Sequence, residues 1–166
     1  MKENLLILGA GQYGVVAKET AEAMNCFDSI SFLDDKSNDA IGKLADYTRF
    51  ALAETYAFVA MGNSAIREAW LARLSEAGIK LAVLVHPQAV VMPSAKIEGG
   101  SIVEAMAVVN SAAKLAKGSL ICAGAVINHN SIVHSCCQID CNAVVAAGAV
   151  VPEGTKVPAG TVFEKQ

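Results

Sequence analysis

From Val91 to Phe163 every sixth residue is apolar, thirteen positions in an unbroken series. Two places before each stands a small residue, from Ala89, Ala95 and Ser101 through to Thr155 and Thr161. A period of six matches neither the 3.6 of a helix nor, by itself, the 2.0 of a flat strand, so the chain must turn a corner at a fixed interval. The pattern predicts a parallel β-helix in which one aliphatic side chain per short strand points inward and the small residue lies where the tube narrows. Three places after each inward residue is a corner, and Gly or Asn fills eight of the twelve corners from Ser94 to Gly160. Those two residue types tolerate positive φ. With three hexads to a triangular coil, the array makes about four coils stacked at ~4.8 Å.

The first eighty residues carry a different rhythm. Leu5-Leu6-Ile7-Leu8 is a short continuous apolar run, the form of a parallel strand buried on both faces, and Gly9-Ala10-Gly11-Gln12-Tyr13-Gly14 follows directly. A helix fits Val15 to Met24, a second strand Ile30 to Leu33 ending in Asp34-Asp35, and a third Tyr56 to Gly62. Asn63 or Ser64 caps a helix that Gly78 ends, and Leu81 to Val85 reads as a fourth strand. The predicted architecture is an α/β Rossmann-like unit over residues 1–86, then an all-β left-handed β-helix over 87–166.

Ligands of such α/β units bind at the carboxyl ends of the strands. Those ends carry the glycine turn, Asp34-Asp35 and Gly62-Asn63. Helix-start N–H groups that glycine leaves accessible suit a phosphate, and an acidic pair suits a ribose or base edge. A glycine motif of this kind equally suits a nicotinamide dinucleotide, but four short strands fit one nucleotide better than two.

Composition narrows the field. The net charge is −3 with no basic cluster, which speaks against nucleic acid and anionic membrane as partners. No apolar run reaches the ~18 residues of a spanning helix, and the apolar stretch after Met-Lys-Glu-Asn is too short for a signal peptide. Five cysteines, an odd number, point to reduced thiols and a cytoplasmic chain. Cys136, Cys137 and Cys141 lack the Cys-x2-Cys pairing of a zinc site, so no metal is expected there.

Taken together, LLILGAGQYGVVAKE, SFLDD, FVAMGNSAIR, LVHPQAVVMPSA and GAVINHNSIV, in this order and spacing, resemble the sugar O- and N-acyltransferases of the sialic acid O-acetyltransferase and UDP-N-acetylbacillosamine N-acetyltransferase type. The resemblance implies a homotrimer that acetylates an amino group, or a hydroxyl, of a UDP-linked sugar, with acetyl-CoA in the groove between subunits. It implies sugar-nucleotide contacts from Gly11, Tyr13, Gly14, Asp34, Asp35, Gly62, Asn63 and Arg67, and coenzyme A contacts from Gln138 and Gly148. His129, two places after the inward Ile127 and therefore at a corner, matches the family's catalytic base. Ala147, one coil above, is positioned to offer its N–H to the oxyanion. Three departures go with the resemblance: Asn130 replaces the acidic partner of the histidine, Gln138 replaces a second histidine, and the family's array runs two or three coils longer around coenzyme A. Two other readings compete. One is a trimer that binds a nucleotide sugar without turnover. The other is a metal protein, because His129 and His134 resemble the ligand spacing of gamma-class carbonic anhydrases, with His86 the only other histidine.

Overall fold

The computed structural model describes residues 3–50 and 55–164. Its first part is a five-stranded parallel sheet of β1 (Glu3–Leu8), β2 (Phe27–Leu33), β3 (Ala40–Gly42), β4 (Thr55–Val59) and β5 (Lys80–Leu81), in the spatial order β3-β2-β1-β4-β5. Helices α1 (Gln12–Met24) and α3 (Ser64–Glu76) cover it, and a 3₁₀ turn at Leu44–Asp46 leads into a single turn of helix, α2 (Tyr47–Phe50). All four leucine-rich positions of β1 are buried because each side of the sheet has its own helix. Leu5 and Ile7 pack with Ala17 and Ala21 of α1, whereas Leu6 and Leu8 pack with Leu71 and Leu74 of α3. α1 begins three residues before the apolar pattern suggests, since its first turn is the glycine segment itself.

The run Leu81 to Val85 is not one strand. Lys80–Leu81 completes the α/β sheet, and Leu84–Val85 is already the first rung of the second part, paired with Ile102–Val103. From there fourteen two-residue strands wind a left-handed parallel β-helix with three faces, of five, four and five strands. Each rung bonds to the one 18 residues on, as in Val108 to Val126 to Val144. The inward residues from Val103 to Val157 are at most 3% exposed, with Ala107, Ala113, Ala125, Cys137, Ala143 and Ala149 filling the narrow positions. Burying each such aliphatic side chain contributes roughly 1.5–3 kcal/mol. The corners follow phase and not residue type. All twelve except Ser94 have positive φ, including Met106, Ala112 and Cys136, which have a Cβ to accommodate.

The outward residues give each face its character. On the junction face, Leu84, Ile102 and Leu120 are fully buried against the α/β unit, followed by Gln138 and Lys156. The valine face presents Val90, Val108, Val126, Val144 and Val162 in one column. The third face presents Lys96, Lys114, Ile132 and Val150.

Candidate active site

β1 and β4 lie side by side, and the connections leave them toward opposite edges of the sheet, so a crevice opens at their carboxyl ends. Its lips are the glycine turn and Gly62-Asn63. Gly9 has φ 103°, and a Cβ there would lie 3.0 Å from the Ala60 carbonyl oxygen across the crevice floor. Gly11, the N-cap of α1, has nothing within 4 Å of its missing Cβ, and neither has Gly62. Both are exposed, as is Asn63, whose Oδ1 accepts from the Ile66 N–H at 3.0 Å and caps α3. Gly11, Gly62 and Asn63 thus form an open lip edged by helix-start N–H groups.

The remaining residues expected at this crevice have other duties. Gly14 is buried, and its missing Cβ makes room for the Gly9 carbonyl oxygen. Asp34 accepts from the N–H groups of Ala10, Lys36 and Ser37 at 2.9, 2.8 and 3.0 Å, so it staples the glycine turn to the end of β2. Those backbone donors, Ala10 first, hold its carboxyl below the ordinary value of 3.8. Asp35 caps the Leu44 N–H at 3.1 Å, and its carbonyl accepts from the Lys43 ammonium. Tyr13 turns toward the β-helix and donates to Glu104 Oε1 at 2.8 Å, while Glu104 Oε2 accepts from the Ala123 N–H. Burial first, and the Glu104 charge second, push the phenol well above its usual value.

Arg67 departs most from expectation. One helical turn after Asn63, it points inward, is 0% exposed, and has its donors occupied by backbone carbonyls of both units. Nε meets Gly118 O at 2.9 Å, Nη1 meets Met61 O at 2.6 Å and Gly62 O at 3.2 Å, and Nη2 meets Cys136 O at 2.5 Å. A guanidinium so engaged turns no free donor toward the crevice. Burial lowers its pKa from the ordinary guanidinium value.

The second group of expected residues lies together at another place. His129 and Asn130 are exposed at the corner between the valine face and the third face, which is the vertex opposite the junction face. Asn130 is left-handed at φ 56°, as its phase in the repeat requires. Its Nδ2 lies 3.1 Å from His129 Nδ1. In that orientation the amide donates to a bare Nδ1 and the ring proton sits on Nε2. Turned over, the same amide accepts from Nδ1–H and leaves Nε2 free. Gly148 stacks directly above, its N–H donating to the His129 carbonyl at 3.0 Å, with open space where a Cβ would be. The exposed Ala147 N–H has no acceptor among the described residues. At the equivalent corners Ala123 and Lys117, carboxylates of Glu104 and Glu98 from the coil below fill that role. Below Ala147 the corresponding residue is Asn128, and its Oδ1 is taken by the His129 N–H at 2.8 Å and by Asn110 Nδ2 at 3.4 Å.

Gln138 stands apart from this group. It lies on the junction face and spends its amide on Asp140 at 3.0 Å. The three histidines are also dispersed, with His86 beside the junction and its Nδ1 accepting from the Gln88 N–H. No group of three His, Cys, Asp or Glu suited to a metal occurs among the described residues. A cavity of about 510 Å³ lies between Val15, Lys18, Phe32 and Ile41, and no residue of either group lines it.

The Arg67 clamp and the Tyr13–Glu104 bond are not apparent from the sequence. The Asn110–Asn128 pair is, because the two lie 18 residues apart and must stack.

Comparison with known proteins bears on both groups. Residues 4–74 match the PglD N-terminal domain. Over 109 residues, 60% of this chain, the sequence is 28% identical to UDP-N-acetylbacillosamine N-acetyltransferase of Bacillus subtilis (strain 168), a match spanning about half, 50%, of that protein. The fold is similar to the acetyltransferase domain of PglB from Neisseria gonorrhoeae FA1090, with a TM-score of 0.83 and 30% identity over 99% of this chain and 89% of that one. The same domain solved in complex with acetyl coenzyme A gives a TM-score of 0.80 at 29% identity, with the same coverage. A mutant of perosamine N-acetyltransferase from Caulobacter crescentus, in complex with CoA and GDP-perosamine, shares the fold with a TM-score of 0.78 at 21% identity, over 98% of this chain and 89% of that one.

Proposed function

The chain belongs to the family of left-handed β-helix sugar acyltransferases that includes the UDP-N-acetylbacillosamine N-acetyltransferases, and on that basis we propose that it transfers an acetyl group from acetyl-CoA to an amino group of a UDP-linked sugar. The observation that carries this reading is the pairing at one corner of an exposed imidazole, His129, with an unfilled backbone N–H one coil above, at Ala147. The sugar nitrogen attacks the thioester carbonyl while His129 Nε2 takes a proton from it, and Ala147 N–H holds the oxygen that becomes negative. The tetrahedral species then expels the coenzyme A thiolate, which receives a proton. No enzyme-bound acetyl group forms. Asn130 serves this step in the orientation where its Oδ1 accepts from Nδ1–H, and it supplies no charge to the imidazolium.

Residues 1–86 would hold the nucleotide over the Gly11, Gly62 and Asn63 lip, with Asp34 and Asp35 shaping the loop beside it. Residues 87–166 would hold the donor, with Gly148 leaving room at the corner. The relative solved with acetyl coenzyme A, of which this chain covers 89%, supports that donor role.

The α/β unit covers the junction face, and His129 occupies the vertex farthest from it. A site that uses both therefore draws on two copies of the chain, and we place three around a common axis through their valine faces. Val90 and Val162 are 48% and 57% exposed in the single chain, in a column that carries no charge. No helix among the described residues is long and apolar enough to cross a membrane. All five cysteines are free thiols, in keeping with a cytoplasmic site of action.

Calorimetry with UDP and with acetyl-CoA separately, followed by a thiol-release assay with 4-amino UDP-sugars, tests the reading. His129→Ala should lower kcat by roughly 10²–10⁴, the usual contribution of a general base. Asn130→Asp should raise it by restoring the negative partner. Binding of both ligands with no thiol release from any amino sugar would leave only a binding protein.

A further inference from the structure

Arg67 is the largest fully buried side chain, and the guanidinium meets carbonyl oxygens only. Two of those carbonyls, Met61 and Gly62, belong to the lip of the crevice. In a trans peptide the C=O and the following N–H point in opposite directions. Drawing the Met61 and Gly62 carbonyls inward therefore turns the N–H groups of Gly62 and Asn63 outward. Neither N–H has an acceptor among the described residues, and both residues are exposed. The other carbonyls, Gly118 and Cys136, lie on adjacent coils of the β-helix at the corner beside the junction face. α3 follows that corner along its length. Leu71 lies over Gly100 and Gly118, and Ser64 lies against Gly154, whose missing Cβ would be 3.5 Å from the serine Oγ.

We propose that Arg67 is a positioning residue for nucleotide binding: it aims the Gly62 and Asn63 N–H groups at an incoming diphosphate and fixes that lip to the β-helix through Gly118 and Cys136. The proposal rests on the functional reading above. Arginine suits the task because its planar fork reaches carbonyls on two sides at once, whereas the single nitrogen of lysine can satisfy one side only.

The test compares the parent chain, Arg67→Lys and Leu71→Ala by calorimetry with UDP and, separately, with acetyl-CoA. Leu71→Ala loosens the same junction without touching the carbonyls. Arg67→Lys should weaken UDP by about tenfold or more and leave acetyl-CoA within about twofold, while Leu71→Ala should lower the melting temperature and keep UDP affinity within about twofold. An Arg67→Lys protein that binds UDP like the parent, or a Leu71→Ala protein that loses UDP to the same extent, overturns the proposal. Hydrogen exchange in the parent provides an independent measurement should Arg67→Lys fail to fold. Saturating UDP should slow the amides of Gly118, Ser119 and Cys136, and no change there overturns the coupling. A parent that binds no UDP overturns the functional reading itself, an outcome distinct from normal binding by Arg67→Lys.

Discussion

Two glycines three residues apart at the start of α1 should respond to the same substitution in opposite ways. In Gly14→Ala the new methyl would lie 2.2 Å from the Gly9 carbonyl oxygen and 3.4 Å from Phe32 Cε1. A relaxed carbon-to-oxygen contact is about 3.3 Å, so roughly 1 Å of overlap must be relieved. The Cβ is fixed by the backbone and its neighbour is a main-chain oxygen, so no rotamer change can help. The helix must move away from the turn, at a cost of about 1–3 kcal/mol for overpacking, offset by up to ~1 kcal/mol because alanine favours a helix over glycine. A net loss of ~1–2 kcal/mol lowers the melting temperature of a chain this size by about 2–8 °C. Gly11→Ala meets nothing within 4 Å, so its effect on melting should be limited to the ~0.5 kcal/mol difference between glycine and alanine as an N-cap. On the proposed function the methyl would nevertheless stand in the path of the phosphate, and UDP affinity should fall about tenfold. Thermal unfolding paired with UDP calorimetry reads both effects. A Gly14→Ala protein that melts within about 1 °C of the parent refutes the crowding argument, and a Gly11→Ala protein as destabilised as Gly14→Ala refutes the open lip.

Ala112 is exposed in a left-handed conformation, φ 58°, so Ala112→Gly should stabilise by about 0.5–1 kcal/mol, read as a higher urea midpoint. The carboxyl of Asp34 is held below 3.8 in the folded chain, so it contributes stability above its unfolded pKa and loses that contribution as pH falls through the folded value. The stability gap between the parent and Asp34→Asn should therefore be full at neutral pH and close on acidification below about pH 4, and a gap that widens in acid would contradict the assigned hydrogen bonds. Val126→Glu, which puts a charge at the centre of the valine column, should lower the mass seen by light scattering from three times 17.2 kDa to 17.2 kDa. An unchanged mass would move the subunit contact to another face.

The β-helix was legible because its code is one-dimensional. Once Val91 and Phe163 are in phase, the inward column, the narrow positions and the corners follow, even at Met106 and Cys136, where the residue type argues against a left-handed backbone. The α/β unit was legible where a run was long and apolar, as in Leu5 to Leu8. It was not legible at Ala40–Gly42, three residues with no alternation to read, or within Lys80 to Val85, where one apolar run serves two sheets without a Gly or Pro between them. Of the candidate site, Gly11, Gly62 and Asn63 lie at an open lip and His129, Asn130, Ala147 and Gly148 lie at one corner. The sequence places Arg67 on the correct turn of the correct helix but does not show that its side chain points inward. What draws it inward is a set of backbone carbonyls from residues 61, 62, 118 and 136, and a carbonyl leaves no mark in the side-chain alphabet. Tyr13 and Glu104 were hidden for a different reason, their separation of 91 residues along the chain.

The reach of Arg67 also sets an order of events during synthesis. Chains emerge from the ribosome amino end first, and a leading domain normally closes before its successor appears. Here the leading unit cannot finish alone, because two of the carbonyls that its guanidinium requires arrive 51 and 69 residues later, and the second only once the coil carrying Cys136 has been wound. Until then the guanidinium has only the Met61 and Gly62 carbonyls of its own unit to meet, and nothing yet ties the lip to the β-helix. The part of the chain that is made first is thus among the last to reach its working form.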